Sequence, residues 1–186
     1  ADRPAALGGD HALNPSMQPR KDLIPAAVLV PLVDRPDGMT VLLTQRTDHL
    51  HDHAGQISFP GGRVEPEDVS HEAAALRETE EEVGLTADRV ELIGRLDFYV
   101  VRSGYRVTPV VGFVQPPFDI KPDPFEVAEV FEAPLSFFLD TDNHRLASRT
   151  DDGVERTYYE MPYNGYYIWG ATAGMLVNLS MVLNVS

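Results

Sequence analysis

The sequence predicts an α/β fold, and three observations carry the prediction. Residues 23–33 and 107–114 are nearly continuous, valine-rich apolar runs of strand length. Between them, Leu76, Thr79 and Val83 make a stripe at helical spacing, closed by Gly84 where a helix stop belongs. Near the far end, residues 171–183 place Leu176, Leu179 and Leu183 on one helical stripe. Strands and helices that follow one another in this way build a sheet covered by helices.

Taken in order, residues 1–22 hold glycine, proline and asparagine without periodicity and predict an irregular N-terminal segment; residues 23–186 predict a single domain. Residues 23–33 form a buried strand, residues 34–38 a turn, and residues 39–45 a second strand that completes a hairpin. The stretch that follows carries His49, His51 and His53, which its Asp52, Ala54 and Gly55 place in a loop. Residues 90–96 alternate as a strand, and residues 98–106 contain a Ser103-Gly104 turn. Residues 107–114 are a core strand that tolerates Pro109 only at an edge or bulge. In residues 125–132, Glu126, Ala128, Val130 and Glu132 share one side of a strand, with Val127, Glu129 and Phe131 on the other. Pro134 opens a short helix, residues 145–149 and 155–161 form a hairpin, and residues 166–170 lead into the closing helix. Tyr158, Tyr159 and the aromatic residues within 163–169 are core packing or the lining of a ligand groove.

Composition narrows the function. The chain of 186 residues has no cysteine, which excludes disulfides, thiolate metal sites and a cysteine nucleophile. A formal net charge of −14 argues against nucleic acid or an anionic membrane as partner. No apolar run reaches membrane-spanning length, and the N-terminal residues lack the apolar core of a secretory signal. The expectation is a cytoplasmic monomer or homodimer that acts on a small molecule.

Glu78, Glu81 and Glu82 stand at i, i+3 and i+4 of the predicted helix, within roughly a third of its circumference. Like charges so close weaken a helix. They are either a solvated acidic face or, since clustered carboxylates suit hard divalent ions, a site for Mg2+ or Mn2+. Upstream, Gly61 and Gly62 make a turn in which a side chain would block close approach to a phosphate.

These residues resemble the Nudix box, Gly-x5-Glu-x7-Arg-Glu-U-x-Glu-Glu-x-Gly-U with U a bulky apolar residue. Arg77, Glu78, Glu81, Glu82, Gly84 and Leu85 match, with Thr79 weaker at the first U. The interval from Gly62 to Arg77 is one residue too long for the pattern: Asp68 stands at the first Glu and an extra residue follows. Leu42, Leu43, Thr44, Arg46, Gly55, Phe59, Pro60, Gly61 and Gly62 also match the additional signature of the coenzyme A pyrophosphatase subgroup. There Thr47 replaces Ser and His51 replaces Arg, which turns a permanent charge into a titratable one.

The resemblance implies an α/β/α sandwich with a mixed sheet over about residues 23–183. It implies hydrolysis of a diphosphate with Mg2+ or Mn2+ held by Glu78, Glu81, Glu82 and the carbonyl of Gly61. Arg77 would orient the carboxylates, and Glu78, Glu82 or Glu126 would be the general base. Asp68 would be a cap or solvated. Arg46 first and Arg63 second would contact phosphate, with Gly55, Phe59 and Gly62 shaping the substrate loop; Phe59 packs beneath that loop rather than stacking on a base. The implied substrate is coenzyme A or an acyl derivative. ADP-ribose, NADH or another nucleoside diphosphate derivative is the alternative. A nucleotide sensor without turnover is weaker, since a sensor need not keep three mutually repelling carboxylates.

Overall fold

The apolar runs become strands because both faces of the sheet are covered. In the computed structural model, which describes residues 7–50 and 54–184, β1 (Ile24–Val33) is followed by β2 (Thr40–Arg46), β3 (Ile57–Ser58) and β4 (Gly61–Arg63). Then come α1 (His71–Val83), β5 (Val90–Arg95), β6 (Tyr99–Val100), β7 (Tyr105–Val114), β8 (Val127–Pro134) and α2 (Leu135–Leu139). The chain closes with β9 (Arg145–Asp151), β10 (Val154–Tyr163), β11 (Tyr166–Trp169) and α3 (Gly170–Leu183). Strands β1–β8 make one mixed sheet and β9–β11 a second, antiparallel one. The predicted hairpin is therefore two strands of three, with β11 where only a lead-in to the helix is expected.

Strand β1 runs parallel to β7 in unbroken register from Ile24↔Tyr105 to Val33↔Val114. Its residues alternate between two cores. Ala27, Leu29 and Val33 meet Leu42, Val110 and Val114 beneath Ala74, Ala75 and Val83 of α1. Val30 and Leu32 meet Leu43 and Phe131 beneath Phe138 of α2, Met161 and Ile168 of the second sheet, and Leu176 and Leu179 of α3. This is an α/β/α sandwich around a mixed sheet. Helix α3 is buried almost all round from Thr172 to Ser180, since the second sheet covers the side that one apolar stripe would leave to solvent.

Pro109 is neither on an edge strand nor in a bulge of β7. It pairs with Val28 of β1, and its carbonyl on the other side accepts the Leu96 N–H at 2.9 Å. That side is where the antiparallel partner changes from β6, opposite Val107, to β5, opposite Val110. A residue's N–H and C=O point the same way, so the N–H that proline lacks falls in the gap between two partners.

The described part of the N-terminal segment holds one 3-10 turn, Asp10–Ala12. Polar contacts tie it down. Leu7 exchanges both backbone groups with the Asn178 amide, at 2.7 and 2.9 Å, and Asn14 does the same with Thr157, at 2.9 Å each. Asp10 accepts the Tyr99 hydroxyl and the Arg102 N–H. Among the described residues no helix is long and apolar enough to cross a membrane.

Candidate active site

Strands β1 and β2 meet only at Leu32↔Val41 and Val33↔Thr40 and then diverge. Strand β2 continues along β8 and β3, while β4 takes its place beside β1, with Val28 opposite Gly61 and Ala26 opposite Arg63. Helix α1 lies across this split. The Ser70 hydroxyl caps it by accepting the Ala73 N–H at 3.1 Å, and Gly84 ends it in the left-handed region at φ 73°. Thr79, the weak apolar position, is fully buried because its hydroxyl donates to the Ala75 carbonyl one turn back, at 2.7 Å.

The three box carboxylates do not share one environment. Glu82 is on the buried face, 5% exposed; Glu78 is half-buried; Glu81 is in solvent. Burial, opposed by the Gly61 N–H and the Arg46 charge, pushes the Glu82 carboxyl up to about 8. Burial also raises Glu78, with the neighbouring Arg77 opposing. The negative charge of Glu126 pushes both upward, so this residue of the β8 approach does join the box carboxylates. Its turn is pinned at both ends: Asp123 N–H donates to the Glu82 carbonyl at 2.8 Å, and Thr47 N–H donates to the Glu126 carbonyl at 3.0 Å.

Arg77 braces the helix against the loop. Its Nε and Nη2 grip both oxygens of Asp68 at 2.9 and 2.8 Å, Nη1 reaches Glu78 at 2.9 Å and Glu81 at 3.4 Å, and Nη2 also donates to the Arg63 carbonyl at 3.1 Å. Asp68 is thus the anchor of Arg77, neither a helix cap nor a solvated side chain. The Arg77 fork first, and then the Glu65 N–H, hold its carboxyl at about 2. The extra residue of the loop is Val69, thrown out to 93% exposure between Asp68 and the Ser70 cap. The insertion is absorbed there, so Asp68 keeps its reach.

A Cβ on Gly62 would lie 2.5 Å from the Glu78 carboxyl carbon, and one on Gly61 would lie 2.4 Å from the Ala27 carbonyl oxygen. Gly55 occupies a left-handed turn, φ 68°, beside Asp48. Phe59 is 3% exposed within the core, which removes it from the substrate-binding residues. Arg63 is engaged elsewhere: its guanidinium donates to the Tyr105 hydroxyl at 3.2 and 2.9 Å and lies over that ring. His51 falls outside the described residues. The aromatic run near the C-terminus splits by strand alternation: Tyr159, Tyr163 and Tyr166 pack toward the core, while Tyr158 and Tyr167 gather around Trp169 on the other face of the second sheet.

Arg46, at the end of β2, brings its Nη1 to 4.0 Å from Glu82 Oε1, beyond a hydrogen bond. Its Nε is buried and has no acceptor among the described residues. Among the described residues, Glu82 in turn receives only the Gly61 N–H, at 3.3 Å. A buried carboxylate and a part-exposed guanidinium with a buried Nε, each short of partners among the described residues, fit a bound cation and an anionic ligand between them. The oxygen donors suit Mg2+ or Mn2+. Among the described residues no three acidic or histidine side chains already stand in metal-ligand geometry. Glu81 would have to leave Arg77 and Glu78 to turn, both side-chain rotations on a fixed helix.

Comparison with known proteins agrees with this architecture. The NUDIX domain model matches residues 23–156, and the chain belongs to the Nudix family of hydrolases. It is 40% identical over 160 residues, 86% of this chain and 80% of the relative, to NudL of Yersinia pestis (strain Pestoides F), described as an uncharacterized Nudix hydrolase. A Nudix hydrolase from M. smegmatis, RenU, shares the fold at a TM-score of 0.60 and 20% identity, covering 87% of this chain and 86% of that one. The NUDIX domain of Shewanella oneidensis NrtR, solved with ADP ribose, does so at 0.52 and 17% over 92% and 96%. Nudix hydrolases generally act with divalent ions such as Mg2+ or Mn2+.

Proposed function

We propose that this Nudix hydrolase cleaves the diphosphate of coenzyme A or acyl-coenzyme A, giving 3′-phosphoadenosine 5′-phosphate and 4′-phosphopantetheine or its acyl form. The observation that carries the reading is Arg46. It belongs to the signature that resembles coenzyme A pyrophosphatases, and its buried Nε lacks an acceptor among the described residues, beside the under-satisfied Glu82. A phosphate oxygen supplies that acceptor. Glu78, Glu81, Glu82 and the Gly61 carbonyl would hold Mg2+ or Mn2+, which when bound neutralises phosphoryl charge and acidifies water.

The chain's own residues would do the rest. Arg46 orients one phosphate; Arg77, fixed by Asp68, holds Glu78 in place. Glu126 serves as the general base, taking a proton from the water whose oxygen bonds to phosphorus as the bridging P–O bond breaks. Three things support Glu126 over Glu82: it is part-exposed, it sits within charge range of Glu78 and Glu82, and its turn is fastened to both α1 and β2. Chromatography and mass spectrometry of products from coenzyme A and ADP-ribose, offered separately with each metal, test the assignment. Selective release of 3′-phosphoadenosine 5′-phosphate is expected; preferential cleavage of ADP-ribose would overturn the coenzyme A reading and leave the hydrolase chemistry standing.

A further inference from the structure

Phe125 precedes Glu126 and is 64% exposed. Exposure alone means little for one apolar residue. What sets this one apart is that its backbone is clamped. The Phe125 N–H donates to Asp123 Oδ1 at 2.9 Å, and its carbonyl accepts the Thr47 hydroxyl at 2.7 Å. Thr47 is itself buried and also donates its N–H to the next carbonyl. The Glu126 and Val127 N–H groups both donate to the Asp123 carbonyl, closing the turn from within. On one side of the ring lies His49, its centroid 4.8 Å away and tilted by 57°. The backbone that carries the ring is therefore already ordered, and binding would not have to bear that part of the cost.

We infer that Phe125, flanked by His49, is the stacking platform for the nucleobase of the substrate. This rests on the hydrolase reading above but not on the choice of coenzyme A, since a nucleoside diphosphate of any kind presents a base. Glu126, the proposed base, is the next residue, and Thr47, which follows the phosphate contact Arg46, holds the carbonyls of both Phe125 and Glu126, so the platform is fastened to the residues assigned to the diphosphate. A base joined to that diphosphate through a ribose is within reach of this platform. A planar ring over Phe125 removes apolar area from water on both partners. Stacking tolerates any base and sets affinity, while Glu78, Glu82 and Glu126 are left to set rate.

The test uses the full chain with ADP and inorganic pyrophosphate as probes, by calorimetry in EDTA and again with Mg2+. Phe125→Ala should weaken ADP roughly ten-fold, the scale of one lost base stack, and leave pyrophosphate unchanged. Phe125→Tyr should restore ADP binding. In turnover of whichever nucleoside diphosphate the enzyme accepts, Phe125→Ala should raise KM by a similar factor with kcat within about two-fold. An unchanged ADP affinity, an equal loss of pyrophosphate, a fall confined to kcat, or a wild type that binds no ADP would each overturn the assignment. Failure of the hydrolase reading shows differently, as a wild type that binds ADP yet turns over no diphosphate.

Discussion

Replacing Glu82 by Gln should make the metal-free protein more stable while abolishing its activity. The carboxyl is 5% exposed, with one long hydrogen bond and a guanidinium 4.0 Å away. Its pKa rises from 4.5 to about 8 on folding, chiefly through burial. A carboxyl raised in the fold contributes stability that is fully present below its unfolded value and is lost as pH climbs toward the folded one. The loss runs at about 1.4 kcal/mol per pH unit, or about 3 kcal/mol between pH 4.5 and pH 7. Gln keeps the shape, can accept the Gly61 N–H and carries no charge, so it escapes that loss. In EDTA at pH 7, Glu82→Gln should melt about 5–10 °C above wild type. Urea unfolding across pH 5–8 should fall steadily for wild type and fall less steeply for the variant, in which only the smaller contribution of the raised Glu78 carboxyl remains. Mg2+ should raise the wild-type midpoint by mass action and leave the variant nearly unmoved. A variant less stable than wild type in EDTA, together with a flat wild-type profile, would show that Glu82 is ionised and well satisfied without metal, and the argument would fail.

Asp68→Asn breaks a bidentate, charge-assisted pair, so it should cost about 2 kcal/mol and weaken Mg2+ binding by about ten-fold or more. With its carboxyl held at about 2 against an ordinary 3.8, the contribution of Asp68 is fully present above about pH 4 and is lost progressively as pH falls from there through about 2; a stability difference between wild type and Asp68→Asn that does not shrink over that range would contradict it. Arg46→Ala removes a side chain whose buried Nε has no acceptor among the described residues, so kcat/KM should drop about 100-fold while the melting temperature moves by about 2 °C or less. Equal activity would end its role as a phosphate contact. Asn178→Leu deletes both hydrogen bonds to the Leu7 backbone and should cost about 2 kcal/mol in urea without changing kcat, provided the N-terminal segment is a structural strap only.

What was legible in the sequence is what depends on short spacing. The strand runs, the helix with its Gly84 stop and the i, i+3, i+4 carboxylates follow from periodicities of two and 3.6 residues, which the structure keeps. What was hidden depends on partners far along the chain. Pro109 looked like an edge residue because nothing local announces that β7 changes partner from β6 to β5 beside it. The need for Gly62 looked like a ligand's, whereas the group that excludes a Cβ is Glu78, sixteen positions downstream. Asp68 does carry a signal in the sequence: it stands at the motif's first acidic position, although the one-residue insertion after it breaks the register to Arg77. A loop can expel its extra residue, and Val69 is where it did. The register that matters for a salt bridge is measured between side-chain tips, and the Arg77 fork closes on Asp68 at 2.8 Å despite the added residue. Spacing in a loop therefore constrains chemistry less tightly than spacing on a helix, where one inserted residue would turn every later side chain by about 100°.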